Sequence, residues 1–242
     1  MTSARTTDIA AGDHPIVKAI ADRCAAAGLD LHATCAAEDY DREVPAAYRL
    51  PPVGRPRALV ILVGNTRALW PCVRDAVRAG VRDPIDRHVE ATVRAAVDDA
   101  RAAHAPGTAY ALRFAPEPPP RRIAMQRLAA VCGLAWLSPS HLSVHPTYGP
   151  WIGLRAAIVL DVDGPPPRAP LPPTCDCAHA CLPRLDEALA AGVPGSAAEL
   201  RPRWRLWLAM RDACPVGRAH RYDDDQLRYH YTGDRGALDH DR

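Results

Sequence analysis

The chain has 242 residues, a formal net charge of +2, 48% hydrophobic residues and 24% charged ones. This is ordinary globular chemistry, which excludes wholesale disorder, and the weak net charge offers no field that would draw the chain to nucleic acid or an anionic membrane. The longest apolar stretch, Ala58–Val63, is far too short to cross a bilayer, and Met1–Ala11 has no apolar core of a secretory signal, so a cytoplasmic protein is expected.

In chain order, His14–Ala27 reads as an amphipathic helix with Asp13 as N-cap and Gly28 as C-cap. Asp39–Arg57 is proline-rich and irregular. Arg57–Gly64 is a continuous apolar run between turn residues, hence a buried strand. Asn65–Thr66 can cap a helix through Ala79. Asp83-Pro84 places Asp at an N-cap and Pro at the first helical position of a helix from Ile85 to His104. On it Ile85, Val89, Val93 and Val97 recur four apart on one face. Thr108–Phe114 is a second strand, and Glu117–Arg122, with three prolines, breaks the chain. Ile123–Val131 is a short helix ended by Gly133, and Ala135–Ser140 and His141–Val144 are short extended pieces. Trp151–Val162 is the strongest strand pattern. Gly164–Pro173 holds six prolines in ten residues and is a loop. Leu182–Ala191 and Ser196–Ala213 read as helices, the second running into a charged tail. Interleaved strands and helices imply one layered α+β or α/β domain.

Three constellations carry chemistry. Cys175-Asp-Cys-Ala-His-Ala-Cys181 places three thiols and His179 within seven residues, ligand types that suit a soft metal. The C-x-C-x3-C spacing is one ligand short of a four-iron cluster pattern, so it reads as a loop with incidental thiols and no metal is assigned. Without a signal segment, the eight cysteines need not pair, and Cys24, Cys72 and Cys132 read as small buried residues. In His145-Pro-Thr-Tyr-Gly-Pro-Trp151, Pro146 forces an extended turn and Gly149 allows close backbone approach. The strand that follows carries Arg155, and an arginine in so apolar a strand calls for an anionic partner or a ligand. Arg211, Arg221-Tyr222, Tyr229-His-Tyr-Thr232 and Arg235 interleave aromatics with guanidinium groups that suit carboxylates or phosphates. A Gly-rich phosphate loop, G-x-S-x-G and H-E-x-x-H are all missing from the sequence.

Arg82-Asp-Pro-Ile-Asp86, Val144–Trp151 running into Leu154–Val159, and Arg211-Asp-Ala with Arg221-Tyr222 together resemble the cobalamin-processing CblC (MMACHC) family, in order from Tyr48 to Arg235. The His-Pro-x-aromatic-Gly-x-Trp segment is the most specific part. The resemblance implies an α+β fold of the nitroreductase type, a mainly antiparallel sheet with flanking helices and a C-terminal cap. It implies a single domain over 1–242, with 1–47 as an N-terminal helix and irregular lead, 163–181 as a Pro/Cys-rich loop and 196–242 as the helical cap. Such proteins bind cobalamin (vitamin B12) with its lower base detached and remove the upper ligand, acting as cyanocobalamin reductase and alkylcobalamin dealkylase.

The implied corrin contacts are Ile123, Ala124, Met125, Gln126, Leu137, Ser138, Pro139, Ser143 and Leu154, with His145, Tyr148 and Trp151 of the signature segment completing the cofactor set. His145 reads as a turn-former rather than a cobalt ligand. The arginines for a thiol co-substrate are Arg155, Arg211 and Arg235. Pro139 and Ser143 depart from the side chains of animal members. Glutathione or another small thiol, and FMN or FAD, are the further cofactors implied. The partners implied are a flavoprotein reductase and a B12-dependent acceptor enzyme, with a homodimer as one assembly the resemblance allows. Related segments occur in cobalamin-dependent epoxyqueuosine reductases, whose cysteine-rich motif Cys175–Cys181 echoes. An epoxyqueuosine-reductase-like cobalamin/iron–sulfur enzyme, a non-catalytic cobalamin chaperone and a flavin reductase are therefore the alternatives.

Overall fold

A computed structural model describes residues 14–173, 175–193 and 197–236. The expected class holds: α+β, an antiparallel sheet with flanking helices and a helical C-terminal segment. Four strands, β1 (Leu31–Ala36), β2 (Ala58–Asn65), β3 (Tyr110–Phe114) and β6 (Gly153–Asp163), form the main sheet in the order β1-β2-β6-β3. Every neighbouring pair in it is antiparallel. The short β4 (Trp136–Leu137) and β5 (Ser143–Val144) pair beside it.

β2 is buried at every position because both sheet faces are covered. Leu59, Ile61 and Val63 point to one face, with Ala156, Ile158 and Leu160 of β6. There they meet α1 (Pro15–Ala26), α3 (Leu69–Arg78) and α4 (Pro84–His104), the last through Val89, Val93 and Val97 as its periodicity requires. Val60 and Leu62 point to the other face, against Tyr40 of α2 (Ala37–Asp41) and Leu128 of α5 (Met125–Val131). The chain then closes with α6 (Ala178–Ala190), α7 (Ala197–Leu200), α8 (Trp204–Asp212) and α9 (Asp224–Thr232). Leu208, Leu227 and Tyr231 of this cap surround Trp151. The Trp70 indole N–H donates to Asp225 at 3.1 Å, tying α9 to α3.

Several local readings need correction. Beyond its first helix the 1–47 lead is not irregular: it contains strand β1 and helix α2. Asp13 lies outside the described residues, and His14 occupies the N-cap of α1, its Nδ1 accepting from the Ile16 N–H at 3.3 Å. Asp83 does precede α4, but at φ 47° its side chain makes no cap bond. Ser196 lies outside the described residues, and the helix predicted from it breaks: Arg201–Arg203 is a 3₁₀ turn between α7 and α8. The charged tail is itself helical, as α9. Cys72 is exposed, unlike Cys24 and Cys132. Among the described residues no helix is long and apolar enough to cross a membrane.

Ile158 sits fully buried at the centre of β6. Ile158→Ala is expected to cost about 2–5 kcal/mol of stability, read by urea unfolding; a loss below about 1 kcal/mol would contradict this packing.

Candidate binding cleft and its buried arginines

The turn before β6 is built from its own side chains. His145 Nδ1 accepts the N–H of Thr147 at 3.0 Å and of Tyr148 at 3.2 Å, so the imidazole is spent on the backbone. Burial, and then His220, lower its pKa. Gly149 has φ 58°, and a Cβ there would lie 1.9 Å from the Val216 carbonyl oxygen, so the segment after α8 passes directly over this turn. The Tyr148 ring lies 4.8 Å from both His145 and His220.

At the start of β6 the sheet changes register. Val63 pairs with Ala156, yet Gly64 pairs with Leu154, which leaves Arg155 as the extra residue of a β-bulge. The bulge reverses the alternation. Leu154 turns to the α5 face, and Arg155 to the α4 face. The Arg155 Nε donates to Asn65 Oδ1 at 2.6 Å. Gly153 makes room for it, since a Cβ there would lie 2.6 Å from Asn65 Oδ1 and 2.9 Å from an Arg155 nitrogen. Burial pushes the Arg155 pKa down, with Tyr222 and Asp86 opposing.

Arg155 is half-buried, whereas Arg211 is a buried cation. Its Nη2 donates to the Pro150 carbonyl at 2.6 Å, and its guanidinium lies 4.7 Å from the Trp151 ring centre and 5.3 Å from that of Tyr222. Arg221 covers Trp151 at 5.7 Å and pairs with Asp212 at 2.8 Å. Among the described residues, neither Arg155 nor Arg211 has a carboxylate at ion-pair distance. His230 is exposed by surface area, yet the protein around it, and then Arg211 and Arg155, push its pKa down to about 3.

Two hollows flank this region. The first, about 570 Å³, opens between α5, the start of β6 and α8, and its surface is mostly apolar. Met125, Gln126, Ser143 and Leu154 line one side, Trp207 and Met210 of α8 the other, and Arg211 and Tyr231 stand in its wall. The second, about 500 Å³, lies on the opposite sheet face, where Arg155 meets Asp86, Glu90 and Glu117.

The remaining sequence-predicted residues lie elsewhere. Ile123 is in the core, and the Ala124 N–H donates to Tyr40 Oη at 2.8 Å. Leu137 pairs with Ser143, and Ser138 Oγ bonds Ser140 Oγ and the Leu142 N–H, with exposed Pro139 between the two serines. Trp151 is buried under the cap. Arg235 is exposed and donates to the Val81 carbonyl at 3.2 Å, apart from the other two arginines. Sequence reasoning missed Trp207 and Met210; it named Asn65 only as a helix cap and not as the partner of Arg155, and it included His230 in the third constellation without a role of its own.

The thiols also regroup. Cys175 and Cys177 are joined by Cys214, the three sulfur atoms lying within 4.8 Å of one another; His179 and Cys181 are not part of that group. Burial pushes the Cys177 and Cys214 thiols up.

The fold is similar to known structures. The C. elegans B12-trafficking protein CblC, a human MMACHC homologue, matches with a TM-score of 0.65 at 16% identity, over 92% of this chain and 94% of that one. An epoxyqueuosine reductase matches with a TM-score of 0.57 at 13% identity, over 91% and 70% of the two chains. The Streptococcus thermophilus epoxyqueuosine reductase matches at 0.53 and 11%, over 90% and 77%. These likenesses bear out the fold class that the resemblance implied. No protein-family sequence model matches the chain, and no curated protein matches it.

His230 gives a titration test. Its folded pKa lies below the unfolded value near 6.5, so the unfolded chain binds the proton more readily. Its contribution to stability is intact above that unfolded value and is lost as pH falls toward the folded one. His230→Gln should flatten the loss, and an imidazole titration followed by NMR should show a midpoint far below normal; a midpoint above about 6 would contradict the geometry.

Proposed function

We propose that the cleft between α5, β6 and α8 binds a cobalamin and that the chain removes its upper axial ligand, by reductive decyanation and by thiol-dependent dealkylation. One observation carries the reading: Met125, Gln126, Ser143 and Leu154, four expected corrin contacts, line one mostly apolar hollow with Arg211 in its wall. Likeness in fold to a B12-trafficking protein supports it.

The residues present fit such a ligand. A corrin is a wide apolar ring edged with amides, and a mostly apolar cleft with a few fixed polar groups suits it. The Ser143 hydroxyl and the Trp207 indole N–H are buried without a hydrogen-bond partner, and a side-chain rotation toward the cleft would bring each to those amides. Bound cobalamin supplies the cobalt–carbon or cobalt–cyanide bond that is broken.

The protein's own part in dealkylation is to hold the thiol. Arg211, a buried cation in the cleft wall, has no carboxylate partner among the described residues, and a carboxylate of glutathione or a similar thiol would satisfy it, whereas Arg155 faces the hollow on the other side of β6. Gripping the thiol fixes its approach to the alkyl carbon, which is where the rate gain arises. Decyanation draws electrons from a flavin, bound here or on a partner reductase, and the processed cobalamin passes to an acceptor enzyme. A cobalamin-dependent reductase of the epoxyqueuosine type is the second reading, favoured by the thiol group of Cys175, Cys177 and Cys214 beside a shared fold.

Leu154→Trp fills the cleft. It is expected to weaken hydroxocobalamin binding at least about tenfold in equilibrium dialysis with an unchanged far-UV circular dichroism spectrum; unaltered affinity would count against the cleft. Arg211→Lys, which keeps the charge but loses the planar fork, should raise the thiol concentration needed for methylcobalamin dealkylation far more than the cobalamin concentration needed. Equal losses for both substrates would reject the role given to Arg211.

A further inference from the structure

We propose that Cys175, Cys177 and Cys214 form a site for one thiophilic divalent cation of the zinc type, a proposal that does not rest on the cobalamin reading. Their sulfur atoms all lie within 4.8 Å of one another, and those of Cys175 and Cys177 are 3.1 Å apart. Three thiolates around one ion, at a zinc–sulfur length of about 2.3 Å and tetrahedral angles, stand about 3.8 Å apart. The Cys175–Cys177 spacing is somewhat shorter than that value and the other two do not exceed 4.8 Å, so small side-chain rotations complete the set.

The two parts of the chain that supply them, before α6 and after α8, meet because α6 packs on α8. Cys177 directly precedes α6, a helix of thirteen residues, whose positive dipole end favours a thiolate there. No carboxylate or imidazole belongs to the group among the described residues, so the donor set is purely soft and disfavours calcium or magnesium. A four-iron cluster takes four protein thiolates, one more than the group offers.

Binding turns three thiols into thiolates, whose protons go to solvent. Cys177 and Cys214 are buried, and the half-buried Cys175 marks the side from which the ion enters. The bound ion pins the segment after the proline-rich stretch to the end of α8, three residues beyond Arg211.

The test uses the full chain, reduced, stripped with a chelator and titrated with Cd²⁺ alone, followed by the sulfur-to-cadmium charge-transfer band. Saturation at one equivalent per chain is expected. The band should disappear in Cys177→Ser and Cys214→Ser and persist in Cys181→Ser. Cys175→Ser, on the solvent side, keeps the test decisive if circular dichroism shows that a buried substitution has unfolded the chain. Failure of the wild-type chain to give a stoichiometric band, an undiminished band in Cys175→Ser, or iron with acid-labile sulfide in the protein as purified would overturn the proposal.

Discussion

The arrangement of the C-terminal half depends on a buried positive charge without a counter-ion. Arg211 is taken out of water and given a carbonyl and two aromatic faces in exchange. A charge held this way is tolerated only when every contact is made, because a buried guanidinium that loses its partners costs several kcal/mol. Those partners are Pro150 and Trp151 before β6, Tyr222 before α9 and Tyr231 within it. One side chain therefore fixes the cap to the end of the sheet, and in doing so it forms a wall of the cleft.

The bulge at Arg155 does the complementary work on the sheet side. A regular strand would send Leu154 and Ala156 to the same face. The extra residue instead gives Leu154 to the cleft and Arg155 to the opposite hollow, close to Asn65. The two arginines approach from different sides of β6 and repel one another, and their charges add to the downward push on the His230 pKa. On the cleft side the Arg211 guanidinium, without a carboxylate partner among the described residues, is the group suited to receive negative charge, while Arg155 faces Asp86, Glu90 and Glu117 across the other hollow.

Much of the scaffold was legible in the sequence because its signals were strong and local. β2 and β6 are unbroken apolar runs, and the Ile85, Val89, Val93, Val97 spacing fixed the inward face of α4. β1 escaped notice because Leu31-His-Ala-Thr-Cys-Ala is short, alanine-rich and at the sheet edge, where alternation is weak. In the cleft, residues close to the signature segment could be anticipated, such as Ser143 and Leu154. Partners supplied by topology could not. Asn65 reaches Arg155 across a strand pair, and Cys214 reaches Cys175 and Cys177 only through helix packing, so spacing along the chain contained neither contact. The bulge, too, depends on pairing with β2 and leaves no trace in β6 alone.

The central claim is that this cleft takes up a corrin whose lower base has detached. The most direct measurement is the absorption spectrum of methylcobalamin before and after an excess of the reduced protein is added without thiol. The account predicts a shift to the spectrum of the base-detached form, saturating with protein concentration. A spectrum unchanged at saturating protein, with no cobalamin retained on gel filtration, would contradict it.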